Sequence, residues 1–258
     1  MGLIQLLLFS SVLIGGGLAF YLRQNNKNLI QLLLSFSGAY ILGITFLHLV
    51  PETYAEGKYT GLFILLGFFI QLMLEQLSRG VEHGHIHALH DAKSSAAFAI
   101  MLGLCLHAFI EGLPLGIVEH IHDHNHNHNH DHIDLAGVGS EEAYPYHLLF
   151  GIILHKIPAA FALGILLLLS GFKDKTVLLY LVIFGSMSPL AAAIGGYLDS
   201  QGLLSPDIRS AIMAIVIGSF LHIATTILFE TDTNHKIPTN KLIAVLVGLG
   251  IAILTVSF

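Results

Sequence analysis

Residues 105–112, with the sequence Cys-Leu-His-Ala-Phe-Ile-Glu-Gly, lie inside the hydrophobic run 94–118 and place ionisable side chains within it. His107 and Glu111 are four residues apart, so a helix puts both on one face, about one turn from each other. An acidic side chain deep in a membrane helix costs roughly 2.5–3.5 kcal/mol on translocon scales, so such a residue indicates function. A second run, 146–171, carries His155 and Lys156. Both apolar runs carry ionisable residues, and a histidine-rich loop separates them. We therefore predict that the two runs form one shared site.

The composition is that of a membrane protein. The chain has 258 residues, of which 54% are hydrophobic and 11% are charged, whereas soluble domains carry about 25% charged residues. The net charge of −6 and the lack of a basic surface pattern exclude a nucleic-acid partner. One cysteine, Cys105, excludes an intrachain disulfide.

Hydropathy predicts an all-α integral membrane protein in which residues 1–258 form a single transmembrane transporter domain. A span needs about 20 apolar residues, and residues 1–22 lack the basic leading segment of a signal peptide, so we expect them to be a retained span. The eight predicted transmembrane helices are 2–22, 29–50, 60–78, 94–118, 147–170, 176–198, 208–229 and 238–257.

The distribution of lysine and arginine predicts the orientation, because cytoplasmic loops retain positive charge. With both termini outside, only Lys58 and Arg209 are external, and Lys156 lies within the membrane. The predicted cytoplasmic set is Arg23, Lys27, Arg79, Lys93, Lys173, Lys175, Lys236 and Lys241. We therefore expect both termini to face outside, in a plasma or cell inner membrane.

The second and seventh spans share a three-residue motif and are predicted to run in opposite directions. Residues 46–48 and 220–222 both read Phe-Leu-His. This fits an inverted repeat of the first three and last three helices around a central pair, a common transporter plan.

The predicted site combines two imidazoles with one carboxylate. From the span limits, Glu111 and His155 lie at a similar depth, and His107 lies about 6 Å deeper. Such a ligand set suits Zn²⁺ first, and Fe²⁺, Mn²⁺, Co²⁺ or Cd²⁺ less decisively. The alternative is that these side chains form hydrogen-bonded polar pairs that hold helices together.

Other polar residues of the spans have open roles. Lys156 would repel a metal ion unless it pairs with Glu111 in the empty state, fills the place of another ion, or satisfies a carboxylate elsewhere. The candidates for an entry or exit pathway are His48, Glu52, His222, Lys156 and Glu230.

Two histidine-rich loops, 82–91 and 119–134, flank the fourth span on opposite sides of the membrane. Such tracts bind divalent transition ions by composition, although a solvated linker with incidental affinity is the alternative. We expect ion capture outside and buffering or feedback inside. The candidate residues are His83, His85, His87, His90, His120, His122, His124, His126, His128, His130 and His132.

These motifs resemble the ZIP (Zrt/Irt-like) family of zinc and iron permeases. The likeness covers the whole plan of the chain and is most specific in residues 107–116 (HAFIEGLPLG) and 155–164 (HKIPAAFALG). Residues 188–190 (Ser-Pro-Leu) resemble the branch that includes the mammalian plasma-membrane zinc importers. The resemblance implies a 3+2+3 helix arrangement, a site between spans four and five, and Zn²⁺ influx by an elevator-like movement.

Carried over by position, the resemblance implies that His107, Glu111 and His155 hold the ion. In the first motif, this chain has Ala108 and Ile110 where many members have Asn and Pro. In the second motif, Lys156 replaces a usual acidic residue, and residues 159–160 (Ala-Ala) replace a usual Glu-Gly. A two-metal centre is therefore not expected, because Lys156 would fill the second position.

The sequence thus predicts a divalent metal importer, with zinc as transported substrate and no resident cofactor. The expected partners are the metal ion and the bilayer, and a homodimer is compatible with the sequence. An intramembrane zinc hydrolase is an alternative, but the His-Glu-x-x-His motif is absent, so an enzyme is not expected. A cation-diffusion exporter would have six spans and a soluble tail, whereas a metal-sensing or sequestering membrane protein stays open.

Overall fold

A computed structural model describes residues 2–22, 27–81, 93–125, 144–229 and 238–257. Almost all of these residues are helical, and no strand occurs among them. The helices are α1 (Gly2–Leu22), α2 (Lys27–Ile44), α3 (Val50–Glu56), α4 (Thr60–Ser78), α5 (Lys93–Asn125), α6 (Tyr144–Leu169), α7 (Asp174–Ser200), α8 (Pro206–Phe229) and α9 (Thr239–Ser257).

The apolar helices have the length that a bilayer requires. In the described part of the chain, seven helical stretches are long and apolar enough to cross a membrane, and α9 adds a shorter apolar stretch, Thr239–Thr255. One of the seven, Asn28–Ala55, runs through α2 and α3. The protein is an all-α integral membrane protein of about eight helices, as the sequence predicts.

The second span differs from the prediction, because it continues beyond residue 50 and is locally irregular. A π-helical turn, Thr45–Leu49, joins α2 to α3, and the N–H of Val50 bonds to the carbonyl of Thr45. Pro51 follows at the start of α3 and has no N–H to donate, so the backbone widens by one residue just before it. Helix α5 continues to Asn125, beyond the predicted fourth span, whereas its apolar stretch, Ser95–Ile117, lies within the predicted limits 94–118.

The helices pack in two groups. Helices α1, α5, α6 and α7 pack on one another mainly through the pairs α5–α7, α1–α6 and α1–α7. Helices α2, α4, α8 and α9 pack mainly through α4–α8, α2–α9 and α2–α8. If the first three spans are exchanged with the last three, and α5 with α6, the pair α5–α7 becomes α1–α6 and the pair α4–α8 becomes α2–α9. This pairing is what the predicted repeat requires.

Glycine allows the closest of these helix contacts. A Cβ on Gly116 of α5 would lie 1.8 Å from the carbonyl oxygen of Ala192 in α7. Between α4 and α8, a Cβ on Gly67 would lie 2.0 Å from the carbonyl of Ile215, and one on Gly218 would lie 2.0 Å from that of Ile64. Small residues at helix crossings let backbones approach in lipid.

Gly116→Ala is expected to lower the free energy of unfolding by about 1–3 kcal/mol, because an added methyl group would force α5 and α7 apart. The measurement is thermal or denaturant unfolding of the purified chain in detergent. Gly17→Ala is the matched control, since no atom lies within 4 Å of the added Cβ. Equal stability of the two variants would contradict the close approach of α5 and α7.

Candidate metal site

Four ionisable side chains of α5 and α6 lie at the centre of the bundle. The exposed fractions are 3% for His107, 1% for Glu111, 2% for His155 and 1% for Lys156. Gly112 follows Glu111 and lets α7 approach, since a Cβ there would lie 2.5 Å from the carbonyl oxygen of Ser188. The glycine after the glutamate therefore brings α7 against the site.

Glu111 joins three helices through its carboxylate. Its Oε2 lies 3.4 Å from Nε2 of His107, one turn back on α5, and its Oε1 forms an ion pair with Nζ of Lys156 on α6. On α7, the hydroxyl of Ser188 lies 3.3 Å from Oε1 and donates to the carbonyl of Ala108 at 2.6 Å. A buried carboxylate needs such compensation, because burial without a partner is costly.

His107 is oriented by residues of α4 and α8. Its Nδ1 lies 3.1 Å from Oε1 of Gln71, which also accepts a hydrogen bond of 2.9 Å from the hydroxyl of Ser219. An amide oxygen only accepts, so in the neutral imidazole Nδ1 carries the proton and the lone pair of Nε2 faces Glu111. A nitrogen and an oxygen donor then face the same space, as a metal ligand pair requires.

His155 lies beside this pair. Its ring centroid is 6.0 Å from that of His107, and the two rings are nearly perpendicular, at 82°. Within the described parts of the chain, however, no three His, Cys, Asp or Glu side chains are grouped closely enough to hold a metal ion. The set of His107, Glu111 and His155 therefore stays a prediction.

The residues predicted for a pathway lie in smaller polar clusters. His48 Nδ1 is 3.2 Å from Oε1 of Glu52, and the ring of His147 lies 5.7 Å from that of His48. Nε2 of His222 is 2.5 Å from Oε2 of Glu75. By the predicted orientation, the first cluster is near the outside and the second near the cytoplasm.

Four polar residues near the predicted ones were missed by sequence reasoning: Gln71, Glu75, His147 and Ser219. The spacing of Gln71 and Glu75, four residues apart within the apolar third span, was a usable signal. His147 is the first residue of the predicted fifth span and Ser219 is a small residue that hydropathy does not set apart, so neither was singled out. Glu230 and the histidines of residues 82–91 and 126–134 lie outside the described residues. Only helical backbone is described for His120, His122 and His124.

Comparison with known proteins gives a consistent result. The family model described as ZIP zinc transporter matches residues 135–255. This part of the chain is similar to the ZIP family. The matched segment includes α6 and the helices after it, and thus His155 and Lys156, whereas His107 and Glu111 precede it.

Curated relatives carry names of the same kind. Zinc transporter ZIP9 of Micropogonias undulatus is 27% identical over 173 residues, which is 64% of this chain and 49% of that protein. Zinc transporter ZIP9-B of Xenopus laevis is 26% identical over 65% of this chain and 50% of its own length. Zinc transporter ZIP1 of Danio rerio is 25% identical over 65% of this chain and 49% of its own length. The chain spans about half the length of the curated relatives it matches, and each of these relatives is named as a zinc transporter.

Proposed function

We propose that this chain belongs to the ZIP family and is a transmembrane carrier of divalent transition-metal ions, above all Zn²⁺, which it moves toward the cytoplasm. The ion is held between α5 and α6 by His107, Glu111 and His155. Zinc is the transported substrate, and Fe²⁺, Mn²⁺, Co²⁺ and Cd²⁺ are candidate competitors.

The observation that carries the proposal is the buried cluster on α5 and α6. His107, Glu111 and His155 are all at most 3% exposed, in helices that are long and apolar enough to cross a membrane. Ionisable groups at such positions are costly and mark ion pathways. The zinc-transporter names of the relatives supply the class of ion.

The chemistry of the donors supports zinc. Imidazole nitrogen and carboxylate oxygen are borderline ligands that suit Zn²⁺ in a tetrahedral site. The ligands bind only as neutral imidazole and ionised carboxylate, so acid conditions should weaken loading. The direction rests on the resemblance to influx permeases and on the charge bias, which assigns the Glu75–His222 cluster to the cytoplasmic side.

The proposal is tested by ⁶⁵Zn²⁺ uptake into proteoliposomes in which the orientation of the protein has been determined. We expect saturable uptake above that of protein-free vesicles, reduced by Cd²⁺ and Fe²⁺ as competitors. Flux from the outer face to the inner face should load vesicles with right-side-out protein. Tight Zn²⁺ binding with no flux in either orientation would contradict transport and favour a sensing or sequestering protein.

Gln71→Leu is expected to raise the KM for Zn²⁺ uptake about 10–100-fold, because supporting hydrogen bonds of ligand histidines have effects of that size. Leucine cannot accept a hydrogen bond from the Nδ1–H group of His107, so the ring is no longer held with Nε2 towards Glu111. Ser219→Ala is the matched control: it removes one hydrogen bond to Gln71 and leaves the Gln71–His107 bond, so its effect should be smaller. An unchanged KM in Gln71→Leu would contradict the orienting role.

A further inference from the structure

A buried lysine shares a carboxylate with the proposed metal site. Lys156 and Glu111 are each 1% exposed, and Nζ of Lys156 pairs with Oε1 of Glu111. The other oxygen, Oε2, is the atom that lies 3.4 Å from Nε2 of His107. One carboxylate therefore serves two purposes, as the counter-ion of Lys156 and as a proposed ligand of the transported ion.

The ammonium and a divalent ion compete for this carboxylate. Like charges that share a buried site repel strongly, because the interior screens them far less than water does. A metal ion on Glu111 would thus push the ammonium of Lys156 away, and an ammonium held on Glu111 would weaken metal binding.

The same ammonium has a second neighbour, on α7. Nζ of Lys156 lies 4.9 Å from the centroid of the Phe184 ring on α7. The face of an aromatic ring attracts a cation, more so where water is excluded. The long, flexible side chain of lysine can move between two such neighbours while its backbone on α6 stays in place.

We infer that Lys156 is an exchangeable counter-cation: it neutralises Glu111 when no metal is bound, leaves Oε1 for the Phe184 side when Zn²⁺ arrives, and returns as Zn²⁺ departs. The inference rests on the proposed function and adds the step by which the ion is released. Glu111 keeps a compensating cation in both states. The exchange also limits the site to one divalent ion, since the ammonium holds the neighbouring position.

The test compares the kinetics of ⁶⁵Zn²⁺ uptake by the wild-type chain and by Lys156→Met in proteoliposomes. Without the competing ammonium, Zn²⁺ should bind more tightly and leave more slowly. We expect both KM and kcat to fall at least tenfold. Damage to the fold would instead raise KM or lower kcat alone, so the joint decrease separates the two explanations.

Two controls complete the series. Lys156→Arg keeps a cation, so it should not reproduce the fall in KM, and Lys173→Met removes the positive charge of an exposed loop lysine and should leave both constants unchanged. Lys156→Gln is a second neutral variant with a polar side chain. Folded neutral variants with an unchanged or higher KM would overturn the exchange.

A measurement on the wild-type chain covers the case in which the neutral variants do not fold. The ammonium signal of Lys156 in a ¹⁵N-lysine-labelled sample, assigned by its absence in Lys156→Arg, should shift when Zn²⁺ is added. A signal that stays unchanged at saturating Zn²⁺ would overturn the inference. If the wild type shows saturable uptake but the KM of the neutral variants does not fall, or the ammonium signal does not shift, the exchange alone is overturned. If the wild type shows no uptake, the proposed function is overturned as well.

Discussion

Glu111→Gln is expected to lower the free energy of unfolding by about 3–5 kcal/mol, the typical cost of removing one partner from a buried ion pair. Lys156 is only 1% exposed, so its ammonium would stay buried beside an amide that carries no charge. The measurement is denaturant or thermal unfolding of the purified variant in the detergent used for the wild type.

The double variant Glu111→Gln/Lys156→Met is the control for this prediction. With both charges removed, no uncompensated ion is left, and replacing a buried pair by neutral groups of similar size is often neutral for stability. The double variant should thus regain most of the lost stability while still failing to transport Zn²⁺. A single variant as stable as the wild type would contradict the buried Glu111–Lys156 pair.

His107→Ala and His155→Ala are each expected to reduce the initial rate of ⁶⁵Zn²⁺ uptake by at least about 100-fold. Loss of supporting residues around a metal already costs 10–100-fold, and loss of a ligand should cost more. Both side chains are at most 3% exposed, and the rate is expressed per amount of folded protein so that a loss of fold is not counted as a loss of transport.

Leu106→Ala is the matched control on α5, because its side chain is next to His107 in the chain but 42% exposed. It removes a side chain from the lipid-facing side of the same helix and should change uptake by less than about twofold, as is usual for surface substitutions. Full uptake by the His155→Ala variant would contradict a metal ligand on α6 and leave only His107 and Glu111 as proposed ligands.

Much of the fold was predictable because a bilayer imposes its thickness on every span. The predicted limits 2–22 and 60–78 agree with α1 and α4 as observed. The π-helical turn before Pro51 was not predictable, since proline alone indicates a break but not how the backbone adjusts around it. The full length of α5 was also missed, because its last turns are polar and hydropathy carries no signal there.

The site was predictable only where its residues are near one another in the chain. His107 and Glu111 follow from helical spacing, whereas Gln71 reaches His107 from 36 residues away and Ser219 reaches Gln71 across 148 residues. Such contacts depend on which helices pack together, and hydropathy does not determine that. The sequence did not determine which group Lys156 pairs with, and the structure shows an ion pair with Glu111.

The central claim, that one divalent ion is held between α5 and α6, is tested most directly by locating the ion itself. The measurement is an anomalous difference map at the zinc edge from crystals of the full chain grown with Zn²⁺, which separates this site from ions on the histidine-rich loops. The account predicts one peak about 2.0–2.2 Å from a nitrogen of His107, a nitrogen of His155 and an oxygen of Glu111, the usual distances for such ligands. Peaks at the loop histidines with none between α5 and α6 would contradict it.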